Sequence, residues 1–180
     1  MKNVLFLAAL SVSALLADEV KFDNRFLQNG ERDIRGWTFN AVEGFKPWGD
    51  VTAVMLDGRP GVRLSSKGKH TQIYLSEALP VKSGEKYIVT AKARGNARCS
   101  IGFFQYGTQW QWKGSHGKPF IPEADLAGKP VAVRESYRVP DGVLSVRPTL
   151  CAHTAGDVEI YDLRIDRVPG QGHPQEGHDE

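Results

Sequence analysis

The run KYIVTAKAR, from Lys86 to Arg94, places Tyr87, Val89, Ala91 and Ala93 on one face and Lys86, Thr90, Lys92 and Arg94 on the other, with Ile88 alone out of phase. Successive side chains of a strand point to opposite faces of a sheet, so this period-two pattern commits the segment to a strand with one buried face. The alternation recurs in GVRL, with Val62 and Leu64 against Arg63, and in TQIYL, with Thr71, Ile73 and Leu75 against Gln72 and Tyr74. VAVRESYRV sets Val131, Val133, Tyr137 and Val139 together. Turn-forming clusters separate these runs: LDGRPG, VKSGEK, RGNAR, VPDG and TAGD. About ten short strands follow, with no long amphipathic helix, and the expected class is all-β, with two antiparallel sheets packed face to face.

One run changes phase. Val158 and Ile160 share a face, after which the apolar positions move to Tyr161, Leu163 and Ile165, leaving Asp162 beside the change. A one-residue slip would turn every later side chain to the wrong face, so a β-bulge near Tyr161 and Asp162 is predicted. Bulges re-aim side chains, and Asp162 is expected to serve as a local hydrogen-bond acceptor or as a ligand to a hard metal.

The first seventeen residues have the layout of a secretory signal peptide: Lys2, an apolar block to Leu16, then Ala17 before the acidic Asp18. Cleavage is expected after Ala17, with Ala14 as the second choice and a retained anchor helix as the alternative. The block falls short of the roughly 20 apolar residues of a membrane span. Residues 18–168 then form one domain, and the polar stretch 169–180 a disordered tail. His173 and His178 in that tail are either solvated or weak metal ligands. Export to an oxidising compartment, secreted or periplasmic, makes a disulfide between Cys99 and Cys151 the expected state, with two buried free thiols as the alternative. A zinc site would need further ligands, and only His153 lies near a cysteine in sequence. Lys and Arg number 23 against 21 Asp and Glu, without a long run of either sign, so nothing points to nucleic acid.

The stretch FFQYGTQWQWKG, Phe103 to Gly114, holds five aromatic residues and three glutamines and no acid. YGTQ reads as a turn that leaves Trp110 and Trp112 together on one face of a short return strand. Trp48 lies in the loop-like FKPWGD, whereas Trp37 and Tyr87 fall on core faces. Tyr106, Trp110, Trp112 and Trp48 are therefore either an exposed aromatic platform or packing. Tyr74 and Gln72, pointing away from Ile73 and Leu75, belong to the same surface if it is a platform, with Gln105, Gln109 and Gln111 as amide neighbours. For catalysis, the closest carboxylate pair is Glu123 and Asp125 in a Pro-led loop, and His70, His116 and His153 fall in no recognisable nucleophile motif.

LQNGERDIRGW, RPGVRLSSKGKHTQIYLSEALPVKSGEKYIVTAKARG and YRVPDGVLSVRPTLCAHTAGDVEIYDLRI resemble, in order and spacing, the carbohydrate-binding modules of the family 4 and 9 type. The resemblance covers Phe26 to about Val168, with one departure: Glu31 follows Gly30 with no aromatic residue between them. It implies a galactose-binding-like jelly roll that binds polysaccharide without cleaving it, alone or beside a separate carbohydrate-active enzyme. It also implies a structural calcium ion, for which Asp162 and Glu31 are the nearest matches. The platform then becomes a surface on which sugar rings stack. Two rival classes remain at this stage: a structural or adhesive envelope protein that uses the sandwich for protein contacts, and a glycoside hydrolase or polysaccharide lyase.

Overall fold

The computed structural model describes residues 18–40, 42–43, 46–122 and 126–169. The signal-like N-terminus, the tail beyond residue 169 and the pair Glu123 and Asp125 lie outside the described residues. Along the chain the strands are β1 (Asp18–Glu19), β2 (Gln28–Gly30), β3 (Asp33–Ile34), β4 (Trp37–Asn40), β5 (Val42–Glu43), β6 (Lys46–Pro47), β7 (Gly49–Leu56) and β8 (Arg59–Ser66). They continue with β9 (Thr71–Leu75), β10 (Leu79–Pro80), β11 (Lys86–Gly95), β12 (Cys99–Tyr106), β13 (Trp112–His116), β14 (Val131–Arg138), β15 (Ser145–Ala152) and β16 (Gly156–Val168). Ten of these have four residues or more. The remaining six are two- or three-residue pairings, too short to leave a periodic trace in the sequence.

One sheet runs β14-β11-β16-β8-β7, with β1 added beside β16. The other runs β13-β12-β15-β9-β4-β3-β2, with β10 beside β15, and β5 and β6 form a separate ribbon. Every pairing among the described residues is antiparallel. The result is a two-sheet sandwich of jelly-roll character, as the alternation predicts.

The inner faces supply the core. From the first sheet come Val62, Leu64, Val89, Val158 and Ile160, and from the second Ile73, Ile101, Phe103, Val146 and Leu150. Fully burying each such side chain is worth roughly 1.5–3 kcal/mol, which makes this interior the main source of stability. Trp37 and Tyr87 are buried, as expected from their phase; Trp37 donates its indole N–H to the Asp23 carbonyl, so its polar atom is satisfied inside.

The predicted bulge is present. The β11–β16 register passes from Thr90 opposite Arg164 to Lys92 opposite Tyr161, giving β16 one extra residue there. Asp162 occupies it with φ 54°, in the left-handed region. Val158 and Ile160 point inward before the bulge and Leu163 and Ile165 after it. Tyr161 differs from expectation: it belongs with the outward set, buried beside Gly61, where a side chain would strike its Cβ, and covered by the Lys92 ammonium. Next to it Glu159, buried, accepts hydrogen bonds from Arg63 Nε at 2.9 Å and Arg94 Nε at 2.7 Å, tying β8, β16 and β11 in register.

Because a Cβ in the left-handed region costs about 1–2 kcal/mol and glycine avoids that cost, Asp162→Gly is expected to be more stable than Asp162→Ala by about 1 kcal/mol in urea unfolding. Both variants lose the same carboxylate, so equal stabilities would show that the bulge backbone is not left-handed.

Candidate functional site

The outer face of the second sheet is built by the residues that alternate with its core set. On β15, Val146, Leu150 and Ala152 point inward, which turns Arg147, Thr149 and Cys151 outward. On β12, Ile101 and Phe103 inward leave Ser100, Gly102, Phe104 and Tyr106 outward, and on β9, Ile73 inward leaves Gln72 and Tyr74 outward. Cross-strand register then groups them: Phe104 faces Arg147, Thr149 faces Tyr74, and Cys151 lies between Ser100 and Gln72. Gly102 is required here, because any Cβ would run into the backbone of β13 at His116.

At one end the aromatics form a continuous row. Tyr74 packs on Phe104 at 5.4 Å between ring centroids, and Phe104 on Trp112 at 5.1 Å. Tyr106 lies edge-on to Trp112 at 5.7 Å and to Trp110 at 5.8 Å. Trp110 and Trp112 keep 60 % and 54 % of their surface exposed, so the row ends in two open indole faces. The Arg147 guanidinium sits over Tyr74, Tyr106 and Trp110, each within 5.5 Å, the geometry of a cation–π contact. Its Nε is buried with no hydrogen-bond partner.

Trp110 is not on the return strand with Trp112, as the sequence pattern implied. It closes a 3-10 turn, Thr108–Trp110, in which Gln109 and Trp110 both have positive φ, 53° and 62°. The turn is held by hydrogen bonds from the Gly107 N–H to the Gln111 carbonyl and from the Gln111 N–H to the Thr108 carbonyl. Left-handed backbone at two consecutive non-glycine residues is strained, and strain of this sort gathers at functional sites. Gln109 is exposed beside the row, while Gln105 is buried on the Phe103 side and is no amide neighbour of the platform.

The row leads into a groove of about 400 Å³. Its lining includes Trp112 and Phe104 at one end, Gln72 and Thr149 along it, and His70, Cys151 and His153 at the other. Partial burial, then the neighbouring His70 and Arg98, hold the His153 imidazole below its ordinary range. Burial pushes the thiols of Cys99 and Cys151 up to about 12.

Trp48 stands apart from the groove lining. It is half-buried, with the Lys69 ammonium 4.8 Å from its ring centroid and its indole N–H donated to the His70 carbonyl at 2.7 Å. Asp162 is bound by Arg59 at 2.7 Å and Lys92 at 3.1 Å; partial burial works to raise its carboxyl, but those two hydrogen bonds and charges hold it below the ordinary range. Glu31, in the turn between β2 and β3, pairs with Arg32 at 2.9 Å. Calcium takes six to eight oxygens, and these two carboxylates, on different sheets and each already facing a cation, do not form such a shell as placed. Sequence reading missed Phe104 and Arg147 altogether; their outward phase was readable, but their meeting with Tyr74 depends on strands far apart in the chain.

No family model matches this sequence, and no curated protein matches it. The fold is similar to several solved structures at low identity. The enzymatically active domain of bacteriophage CBA120 tailspike protein 4 aligns with a TM-score of 0.57 and 13 % identity over 81 % of this chain and 22 % of that one. The CBM22-1–GH10 portion of Clostridium thermocellum endo-1,4-beta-D-xylanase 10B, complexed with xylohexaose, aligns at 0.57 and 14 % over 74 % and 26 %. The CBM22-1 xylan-binding domain of Paenibacillus barcinonensis Xyn10C aligns at 0.52 and 15 % over 76 % and 88 %. This chain thus spans about a quarter or less of the first two and most of the third. These likenesses establish the β-sandwich fold shared with carbohydrate-binding modules; they do not single out the family 4 and 9 type. Among the described residues, no helix is long and apolar enough to cross a membrane.

The disulfide expectation is overturned: both cysteines are free and buried. Cys99 is opposite Ala152 and Cys151 opposite Ser100, a one-residue offset that sends the two side chains to opposite faces of the sheet. Cys99 packs in the core and Cys151 lines the groove. Denatured, unreduced protein is accordingly expected to take up two alkylating labels by mass spectrometry. Protein that takes up none would contradict this register.

Proposed function

We propose that this protein is a non-catalytic polysaccharide-binding module, allied to the family 4 and 9 type, that holds a glycan along the outer face of its larger sheet. The observation that carries the reading is the aromatic row ending in the two open indoles of Trp110 and Trp112, with Arg147 at its centre. Sugar rings offer C–H faces that pack on aromatic planes and hydroxyl groups that need hydrogen-bond partners. The row supplies the first; the amides of Gln72, in the groove lining, and Gln109, exposed beside the row, supply the second.

The strained turn that presents Trp110 supports the same reading, since a ring held in place before binding loses less entropy on contact. Arg147 to His153 spans about 20 Å at roughly 3.3 Å per residue, room for more than one sugar ring. Hydrolysis by the common route needs two facing carboxylates, and among the described residues the groove lining contains none. The similar modules with named ligands are described with xylan or xylohexaose, which makes xylan-type chains the first polymers to try. In that role the protein would deliver or retain substrate for a separate carbohydrate-active enzyme.

A glycan array identifies the ligand, and calorimetry then measures variants. Trp110→Ala and Trp112→Ala are each expected to lose roughly 1–3 kcal/mol of binding, the scale of a large apolar contact, with stability nearly unchanged. Trp37→Ala is the buried control, expected to lose about 3–5 kcal/mol of stability through its cavity. Platform variants that unfold as readily as Trp37→Ala, or that bind as tightly as the parent, would refute the reading.

A further inference from the structure

At the far end of the groove, three side chains from two separate parts of the chain meet. His70 comes from the turn before β9, Cys151 from the outward face of β15, and His153 from the residues just after that strand. Their ligand atoms all lie within 4.8 Å of one another. His153 Nδ1 is 3.4 Å from His70 Nε2 and 3.7 Å from Cys151 Sγ. We propose that His70, Cys151 and His153 form a three-ligand site for a zinc-class divalent transition-metal ion, with the fourth position open to the groove.

The spacing is the first argument. Metal–nitrogen bonds of about 2.05 Å and a metal–sulfur bond of about 2.3 Å at tetrahedral angles require N–N edges of about 3.3 Å and N–S edges of about 3.6 Å. The edges at His153, 3.4 Å to nitrogen and 3.7 Å to sulfur, match these closely, and the third, between His70 and Cys151, lies within 4.8 Å and closes to the required length by rotation of the exposed His70 side chain. As a direct hydrogen bond between imidazoles, by contrast, 3.4 Å is longer than the usual range of roughly 2.7–3.2 Å. The donor set is the second argument: two imidazoles and a thiolate select borderline-soft ions such as zinc over calcium or magnesium, which take oxygen.

The surroundings complete the site. His153 Nε2 lies 2.8 Å from Ser100 Oγ, which leaves Nδ1 for the metal and fixes the ring as an outer-shell partner does. Both histidines are anchored through their backbone: the His70 carbonyl accepts the Trp48 indole N–H, and the His153 N–H donates to the Arg98 carbonyl, each at 2.7 Å. Folding has therefore already met part of the ordering cost of ligation, chiefly at His153. On binding, the Cys151 proton is released to solvent and the thiolate ligates the ion. The three ligands require no bound glycan.

Cobalt(II) reports tetrahedral zinc sites by its colour, and the test is its titration into the full reduced chain. One equivalent is expected to bind with a sulfur-to-cobalt charge-transfer band in the near ultraviolet and intense visible bands, all removed by added zinc. Cys151→Ser should abolish the charge-transfer band, His70→Ala should weaken binding at least about tenfold, and Ser100→Ala should weaken it about tenfold while keeping the band. Circular dichroism confirms that each variant is folded. If Cys151→Ser does not fold, Cys99→Ala replaces it, and a band retained there assigns the sulfur to Cys151. Parent protein with no sulfur band in excess cobalt, including protein that holds cobalt only through His173 and His178, overturns the proposal, as does a band that survives Cys151→Ser or is lost in folded Cys99→Ala.

Discussion

The register of β15 between β12 and β9 is the constraint on which the rest depends. Its inward residues, Val146, Leu150 and Ala152, complete the core, and the same alternation turns Arg147, Thr149 and Cys151 outward into one line. A slip of one residue would turn Arg147 into the core and Leu150 out of it, at a cost in both directions: lost apolar burial and a guanidinium without solvent. The packing of the interior therefore holds the outer face in place.

The two sheets differ in how their outer faces are finished. On the smaller sheet the outward residues satisfy one another: Glu159 between Arg63 and Arg94, and Asp162 between Arg59 and Lys92. Charges paired in this way close that face and lock the register across the bulge. On the larger sheet, Arg147 has only ring faces around it and keeps Nε without a partner, while two indoles remain open. A buried donor left unpaired costs free energy, a cost the paired charges of the smaller sheet avoid. This asymmetry between a charge-paired face and an open aromatic one is the ground on which glycan binding is proposed for the larger sheet.

Along the open face the chemistry changes from ring faces to metal-type ligands within one groove. At the Trp110 end the proposed contact with sugar would be apolar; at the His153 end the proposed ion would depend on donor identity and spacing. An ion at the second end would place a Lewis-acidic position beside a bound polymer, which gives the groove a direction that stacking alone does not supply.

The sequence by itself determined the class of fold and the bulge at Asp162, because each depends on alternation within a single run of residues, while it left Trp112 open between platform and packing. It also carried the outward phase of Tyr74 and Gln72. Which outward residues meet was decided only by tertiary structure. Cys99 and Cys151 stood as an obvious pair until the one-residue offset between β12 and β15 put them on opposite faces, and His70 reached Cys151 and His153 only through the pairing of β9 with β15. Trp110 left its expected strand because a left-handed turn intervened. The physical reason is the same in each case: period two fixes the face a side chain takes on its own strand, whereas cross-strand neighbours depend on register, which turns and core packing set over distances the local pattern does not encode.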